Sequence, residues 1–200
     1  QAEPRHRRLS LGEGGVGEAP VYLDYNATAP IRRVAAEAVA SALAMGGNPS
    51  SVHGPGRRAR ARVEEARDAV ATVVGMPADA VIFTSGGTEA NNYAIFGGAG
   101  VGAPPRRLLI SAIEHDSLRA AAQATGAPVT TLAVDAAGIV SLSALDRALA
   151  ADSGIALVSV MLVNNETGVV QPIAEVAALG HRYGVLVHCD AAQAMGKVAI

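Results

Sequence analysis

Short apolar runs alternate with longer alanine-rich segments from Val21 to the end of the chain. The runs predict strands at 80–84, 107–112, 129–134, 155–162 and 185–188. The segments between them predict helices at 31–45, 57–74, 88–97, 116–125, 141–151 and 173–183. Unbroken apolar strands that alternate with amphipathic helices are typical of a mostly parallel sheet with helices on both faces. We therefore predict an α/β fold.

The first part of the chain does not follow this pattern. Residues 1–20, QAEPRHRRLSLGEGGVGEAP, are polar and rich in glycine, and they have no apolar period. We predict a mobile leader at 1–20, followed by one segment, 21–200, that contains part of an α/β domain. The RHRR start is similar to a targeting presequence, but three glutamates and the missing apolar face argue against that interpretation.

Composition excludes several classes of protein. Half of the residues are apolar, 17% are charged and the formal net charge is −2, so nothing attracts the chain to nucleic acid or to a membrane surface. No apolar run approaches the roughly 20 residues that a membrane-spanning helix needs. The single cysteine, Cys189, excludes an internal disulfide and a cysteine-clustered metal site. It fits a reducing compartment, and we expect a cytoplasmic protein.

Polar clusters follow four of the predicted strands. Right-handed crossovers place the carboxyl ends of parallel strands at one edge of a sheet, where ligands bind. Four such clusters exceed what a structural scaffold needs, so we predict a ligand site at this edge. The clusters are TSGGTEANN (84–92), IEHDS (113–117), LVNNETG (162–168) and HCDAAQ (188–193).

The first cluster contains a glycine turn, Ser85-Gly86-Gly87, that leads into a helix opened by Thr88. Outward-facing N–H groups and the positive end of a helix dipole suit a phosphate. The alternative is an ordinary strand-to-helix junction with Thr88 as the N-cap. A Walker-type loop is excluded, because no Gly-Lys-Ser/Thr follows the glycines.

Asp190 follows a buried strand, where a carboxylate is unfavourable unless it is paired. A cationic ring nitrogen is a suitable partner, and a pyridinium held by an aspartate is the arrangement that makes pyridoxal phosphate an electron sink. Gln193 could then donate to the phenolic oxygen of the ring. Cys189 points to the opposite face of the strand from Asp190, so we predict that it lies in the core.

The other two clusters leave alternatives open. His115 could stack on a flat ring or transfer a proton, or it could only hydrogen-bond locally. Asparagines such as Asn164 and Asn165 often only form turns, but a side-chain amide is also a neutral donor for a phenolate or a substrate carboxylate.

Together, six segments resemble the cysteine desulfurases, which are pyridoxal-phosphate enzymes of the class V aminotransferase group within fold type I. They occur in the family's order and with similar spacing, from Tyr22 to the end of the chain. The segments are YLDYNATAP (22–30), GNPSSVHGPGRRARARVEEAR (47–67), FTSGGTEANN (83–92), EHDSL (114–118), VNNETGVVQPI (163–173) and HCDAAQAMGK (188–197).

The resemblance implies a role for each candidate residue. The Gly87–Thr88 turn would hold the phosphate of pyridoxal 5'-phosphate. His115 would stack on the pyridine ring and assist proton transfer, so it is the candidate catalytic residue. Asn165 would contact the cofactor and the substrate carboxylate. Asp190 would pair with the pyridine nitrogen, and Gln193 would bond the phenolic oxygen.

The resemblance also implies an activity for the complete enzyme. Family members convert L-cysteine to L-alanine and pass the sulfur, as a persulfide, to acceptor proteins in pathways such as iron–sulfur cluster assembly. They act as homodimers. The open alternatives are a selenocysteine lyase, another class V aminotransferase, or a noncatalytic binding or regulatory unit.

Three departures from the family pattern are mild: Ala29, Gly87 and Cys189. In the family, the Schiff-base lysine and the persulfide-carrying cysteine lie downstream of the region that ends here at Ile200. We therefore expect the chain to be an N-terminal part that is inactive alone. Lys197 matches an ordinary family lysine, and we expect it at the solvated surface.

Overall fold

The computed structural model describes residues 21–100, 104 and 106–198, so the predicted leader at 1–20 lies outside the described residues. The described residues form six α-helices, one short 3₁₀ helix at Ala78–Ala80 and four β-strands. The helices are α1 (Arg33–Met45), α2 (Gly54–Val74), α3 (Gly87–Ala99), α4 (Asp116–Ala124), α5 (Leu142–Ala151) and α6 (Ile173–Tyr183). The strands are β1 (Arg107–Ser111), β2 (Val129–Leu132), β3 (Ile155–Ser159) and β4 (Leu186–His188).

Local sequence signals explain the ends of several helices. The hydroxyl of Ser141 accepts a hydrogen bond from the backbone N–H of Ala144 and caps α5. Helix α6 ends where Gly184 adopts the left-handed conformation, with φ 65°, which glycine enters without steric penalty. The six predicted helices agree with these elements to within a few residues.

The strands form one parallel sheet in the order β2-β1-β3-β4. Leu108 of β1 is paired with Val129 of β2 on one side and with Leu157 of β3 on the other. Leu157 is in turn paired with Leu186 of β4. All carboxyl ends therefore lie at the same edge of the sheet, as predicted.

Both faces of the sheet are covered. On one face, Leu108, Ile110 and Leu157 pack with buried residues of α3 and α4. On the other, Leu109 and Val158 pack with buried residues of α5 and α6. Since burying one such side chain contributes about 1.5–3 kcal/mol, the two layers account for the cohesion of this sheet. The predicted parallel α/β architecture is confirmed.

The strand predicted at 80–84 is not formed. Residues 81–84 are extended but pair with no strand among the described residues, and the side chains of Ile82 and Phe83 are 59% and 49% exposed. Helix α2 holds this segment instead: the Arg67 guanidinium donates to the carbonyl of Val81 and lies 5.1 Å from the ring centroid of Phe83. An apolar run becomes a strand only where a neighbouring strand takes up its backbone hydrogen bonds.

The amino-terminal part of the described chain lies outside this core. Helix α1 buries none of its residues, and its apolar side chains Val34, Val39 and Leu43 are exposed. No helix within 21–100 or 106–198 is long and apolar enough to cross a membrane.

Candidate cofactor site

A cavity of about 240 Å³ opens at the carboxyl edge of the sheet. Its walls come from the start of α3 and from the loops that follow β1, β3 and β4. The parallel topology brings the loops after β1, β3 and β4 together, and the packing of α3 on one face of the sheet places its start beside them. All six predicted site residues line this cavity: Gly87, Thr88, His115, Asn165, Asp190 and Gln193.

The Asp190 carboxylate is held by a donor on each oxygen. Asn91 Nδ2 donates to Oδ2 at 2.9 Å, and the backbone N–H of Ala192 donates to Oδ1 at 3.0 Å. The backbone of Asp190 is fixed as well, because its carbonyl accepts the N–H of Leu162 at 2.9 Å. The carboxylate therefore presents its negative charge to the cavity in a defined orientation.

Asn91 is a site residue that the sequence analysis missed. Its side chain is 3% exposed, lines the cavity and donates both to Asp190 and to the hydroxyl of Ser117, the latter at 3.1 Å. Asn91 lies four residues after Gly87, which places the two positions on the same face of α3. The four-residue spacing from Gly87 is therefore the sequence signal that could have identified Asn91 as a site residue.

The glycine turn differs in detail from the prediction. Helix α3 begins at Gly87, and Gly86 is its N-cap, so the alternative in which Thr88 caps the helix is wrong. Among the described residues, no side chain caps this end. A Cβ built on Gly86 or Gly87 would meet none of their atoms within 4 Å, so the turn is open on this side. The start of α3 therefore offers backbone N–H groups to an anion in the cavity.

Glu89 occupies one donor near this turn. Its carboxylate accepts the backbone N–H of Ser85 at 2.6 Å, and hydrogen bonding to Ser85 lowers the pKa of Glu89. The Ser85 N–H is consequently engaged within the chain, and the N–H groups at the start of α3 remain the donors that suit a ligand.

His115 makes the local hydrogen bonds that one of the two predicted alternatives requires, and it also borders the cavity. Its Nδ1 accepts the backbone N–H of Ser117 at 3.1 Å and lies 2.8 Å from the Ser117 hydroxyl, so the ring caps α4. The same ring lines the cavity. Because Nδ1 is an acceptor, the proton of the neutral imidazole is on Nε2.

The two asparagines after β3 have different tasks. Asn164 is 8% exposed and forms the turn: its Oδ1 accepts the backbone N–H groups of Glu166 and Thr167, and its Nδ2 donates to the carbonyl of Ile113. Asn165 lines the cavity. The turn-forming alternative therefore applies to Asn164, and the donor role of Asn165 stays a prediction.

Gln193 and Lys197 are connected through Asn26, in the amino-terminal segment. Gln193 Nε2 donates to the carbonyl of Asn26 at 3.1 Å, and Asn26 Nδ2 donates to the carbonyl of Asn165 at 2.7 Å. Lys197 Nζ donates to Asn26 Oδ1 at 3.1 Å and to Gln193 Oε1. Lys197 is exposed, as predicted, but it holds Gln193 and the amino-terminal segment rather than serving only for solvation.

Cys189, His188 and Glu114, which lie near Asp190, have shifted pKa values. Burial, with the negative charges of Glu114 and Asp190, raises the pKa of the half-buried Cys189 to about 11. Burial lowers the pKa of His188, whose Nδ1 lies 2.9 Å from the Ser159 hydroxyl. Burial, with Asp190, also raises the pKa of Glu114 to about 7. Cys189 is therefore a poor nucleophile at neutral pH. It is only half-buried and belongs to neither core cluster, so the prediction that it lies in the core is wrong.

Comparison with curated proteins finds relatives that are named cysteine desulfurases. The chain is 43% identical over 187 residues to the IscS-like cysteine desulfurase of Mycobacterium tuberculosis, covering 90% of this chain and 48% of that protein. It is 39% identical over 185 residues to the cysteine desulfurase IscS of Dictyoglomus turgidum, covering 90% and 46%. The chain spans about half the length of the curated relatives it matches.

Solved structures match in the same proportion. A NifS-like protein from Rickettsia africae aligns with a TM-score of 0.80 at 33% identity, covering 90% of this chain and 50% of that one. DndA from Streptomyces lividans aligns with a TM-score of 0.76 at 38% identity, covering 89% and 51%. SspA in complex with cysteine aligns with a TM-score of 0.74 at 27% identity, covering 84% and 49%.

These matches confirm the predicted α/β fold and the resemblance to the cysteine desulfurases. The sequence model of one family, described as aminotransferase class-V, matches residues 21–200, the whole segment that follows the predicted leader in this sequence. The chain therefore belongs to the class V aminotransferase family.

Proposed function

We propose that this chain forms the cofactor-binding part of a pyridoxal-phosphate-dependent cysteine desulfurase. One observation carries the proposal: Asp190 and the Gly87–Thr88 turn line the same cavity. A single molecule with a cationic ring at one end and a phosphate at the other can therefore reach both. Relatives named cysteine desulfurase, at 39–43% identity, favour this activity within the family.

The donor set fits pyridoxal phosphate. The Asp190 carboxylate, oriented by Asn91 and Ala192, supplies the negative charge that a protonated ring nitrogen needs. The uncapped start of α3 supplies N–H groups and a positive dipole end for the phosphate. The His115 ring, which lines the same cavity, supplies a flat surface for stacking.

Bound pyridoxal phosphate would supply an electron sink for the reacting carbon of an amino-acid substrate. The residues of this chain bind and orient. His115 holds a proton on Nε2, at the wall of the cavity, where it can be exchanged with a substrate. Asn164 makes the side-chain bonds of the turn, so the side-chain amide of Asn165 is available for a substrate carboxylate. The second N–H of Gln193 is available for the phenolic oxygen of the ring.

The complete protein is proposed to release sulfur from L-cysteine, to leave L-alanine and to pass the sulfur to an acceptor protein. The relative solved with cysteine, SspA, supports cysteine as the substrate. We propose a homodimer and a cytoplasmic location on the same family grounds. Lys197 is not proposed as the residue that holds the cofactor covalently, because its Nζ already binds Asn26 and Gln193.

The test uses the complete protein that carries this chain. Cofactor binding is followed by absorbance, and sulfide and alanine are measured with L-cysteine and with L-selenocysteine. Asp190→Asn should weaken cofactor binding by tenfold or more, since a charge-assisted pair contributes about 1.5–3 kcal/mol. Glu175→Gln is the matched control, because it also replaces a carboxylate by an amide, but at an exposed position on α6.

Two outcomes would contradict the proposal. One is wild-type cofactor affinity in Asp190→Asn. The other is a complete protein that binds pyridoxal phosphate but releases no sulfide from L-cysteine. Borohydride reduction followed by peptide mass spectrometry tests the statement on Lys197, where a stoichiometric cofactor adduct would be the contrary result.

A further inference from the structure

Glu114 is a buried carboxyl that the proposed chemistry does not use. Its side chain is 2% exposed. Its Oε1 accepts the backbone N–H of Met161 at 2.7 Å, whereas its Oε2 is buried and has no hydrogen-bond partner among the described residues. A buried ionised carboxylate with an unpartnered oxygen is strongly unfavourable, so the site favours the protonated acid.

The position of Glu114 connects two walls of the cavity. It directly precedes His115, and its partner Met161 lines the cavity four residues before Asn165. A second bond, from Asn164 Nδ2 to the carbonyl of Ile113 at 3.1 Å, joins the same two loops. Glu114 therefore holds the loop after β3 against the loop after β1.

Two charged side chains, Asp190 and Arg119, act on Glu114. Asp190 follows β4 and repels the ionised form of Glu114, whereas Arg119 on α4 attracts it. The charge of Glu114 contributes to the raised pKa of the Cys189 thiol, next to Asp190. Because that pKa is about 11, the thiol is neutral at physiological pH. His188 of β4, whose pKa is lowered by burial, is also neutral there. Asp190 is thus the main negative charge acting on Glu114. Adjacent residues of the loop after β3 hold the two acidic residues, because the N–H of Met161 donates to Glu114 Oε1 at 2.7 Å and the N–H of Leu162 donates to the carbonyl of Asp190 at 2.9 Å.

We propose that Glu114 is a positioning residue whose protonation near neutral pH follows the charge at Asp190: the protonated acid is favoured while Asp190 has no cationic partner, and the carboxylate is favoured, with loss of the proton to solvent, when a protonated pyridine ring pairs with Asp190. The inference rests on the proposed function. A cation on Asp190 removes the repulsion that favours the acid, and the proton leaves through the polar crevice lined by Glu114, His115 and Arg119. The ionised Glu114 then adds a second negative charge behind the ring.

A titration without cofactor tests the coupling to Asp190. Infrared spectra of the complete protein in its cofactor-free form should show the carbonyl band of a buried protonated carboxyl that disappears near pH 7. The band should be missing in Glu114→Gln, should disappear at lower pH in Asp190→Asn, and should be unchanged in Glu175→Gln. A band that is already absent at pH 6, or one that persists in Glu114→Gln, overturns the inference.

A second measurement tests the coupling to the cofactor. Glu114→Gln keeps an acceptor for Met161 and imitates the neutral acid at every pH. The ratio of its pyridoxal phosphate dissociation constant to that of the wild type should be near one at pH 5.5 and should rise to about tenfold at pH 8, if binding shifts the Glu114 pKa by one unit. A purely structural role would give a ratio that does not change with pH.

The two failures are distinguishable. If the wild type does not bind pyridoxal phosphate, both the proposed function and the cofactor part of this inference are wrong. If the wild type binds it and the ratio is constant between pH 5.5 and pH 8, only the role of Glu114 is wrong.

Discussion

Asn91 Nδ2 lies 2.9 Å from Asp190 Oδ2, although 99 positions separate the two residues in the chain. Asn91 is almost fully buried, and its Nδ2 also donates to the hydroxyl of Ser117. Burial and this second hydrogen bond fix the orientation of the amide that binds Asp190. The orientation of Asp190 thus depends on α3, the helix whose first turn is proposed to hold the phosphate. The two ends of the proposed cofactor site are joined by one helix.

Asn91→Ala should therefore weaken cofactor binding without changing any charge. Loss of one hydrogen bond to a charged group corresponds to about 1.5–3 kcal/mol, or roughly tenfold to more than hundredfold in the dissociation constant. Equilibrium dialysis of pyridoxal phosphate with the complete protein measures it. Asn91→Asp should be worse than alanine, because it places a second carboxylate beside Asp190.

The matched control for Asn91 is Asn48→Ala. Asn48 is exposed, and its Oδ1 accepts only the backbone N–H of Ser50 in the loop before α2. Its removal should leave cofactor affinity unchanged. Equal affinities in wild type and Asn91→Ala would show that Asp190 is oriented without this bond.

Glu114 makes a second prediction, on stability. Its pKa is raised from 4.5 to about 7, so the folded chain holds a proton that the unfolded chain has lost between these values. The free energy of unfolding contributed by this group therefore falls as pH rises from about 4.5 to about 7, by an amount of the order of 3 kcal/mol. Glu114→Gln lacks a titrating group and should gain stability relative to wild type across this window.

Urea denaturation of the cofactor-free protein between pH 5 and pH 8 measures this difference. His188 acts in the opposite direction, because its lowered pKa reduces stability as pH falls below about 6.5. It is present in both proteins, so the comparison of wild type with Glu114→Gln removes its contribution. Parallel pH profiles of the two proteins would contradict the raised pKa.

The fold could be predicted because its signals are local. Short apolar runs between alanine-rich segments identify the four strands of the sheet. In a parallel sheet, the loops after the carboxyl ends of the strands then lie at one edge. The run at 81–84 has the same composition but pairs with no described strand. Whether an apolar run finds a neighbour is decided by residues far away in the chain, which a local pattern does not contain.

The candidate site could be predicted in part for the same reason. Residues in the loops that follow strands, such as Asp190 after β4 and Asn165 after β3, are brought to one edge by the sheet topology. Asn91 was missed because it is one helical turn inside α3, and Asn26 because its segment is placed only by long-range bonds to Asn165 and Gln193. The unpartnered oxygen of Glu114 is a consequence of packing that no spacing rule reveals.

Cys189 should react slowly with alkylating agents. Only the thiolate is nucleophilic, and a pKa raised from 9.0 to about 11 reduces the thiolate fraction at pH 8 by about a hundredfold. Mass spectrometry of the peptide that contains Cys189, after timed exposure to iodoacetamide, gives the rate. Unfolded protein serves as the control, and equal rates in folded and unfolded protein would refute the raised pKa. Cys189→Ala should keep cofactor affinity.

Lys197 makes the last prediction, on the order of the amino-terminal segment. Residues 22–28 are exposed and bury no apolar core, so their position depends on the polar bonds that converge on Asn26. Lys197→Met removes one of these bonds and loosens Gln193, which holds another. Since an exposed hydrogen bond contributes about 1 kcal/mol, amide hydrogen exchange at Ala27 and Thr28 should become roughly fivefold faster.

A conservative substitution at Lys197 is the control for Lys197→Met. Lys197→Arg keeps a cationic donor and should preserve most of the protection at Ala27 and Thr28, whereas Lys197→Met keeps only the length of the side chain. Global stability should stay within about 0.5 kcal/mol in both variants, because the side chain is exposed. Unchanged exchange in Lys197→Met would mean that the bonds from Asn165 and Gln193 hold Asn26 by themselves. In that case the lysine would be the solvated surface residue that its sequence context suggested.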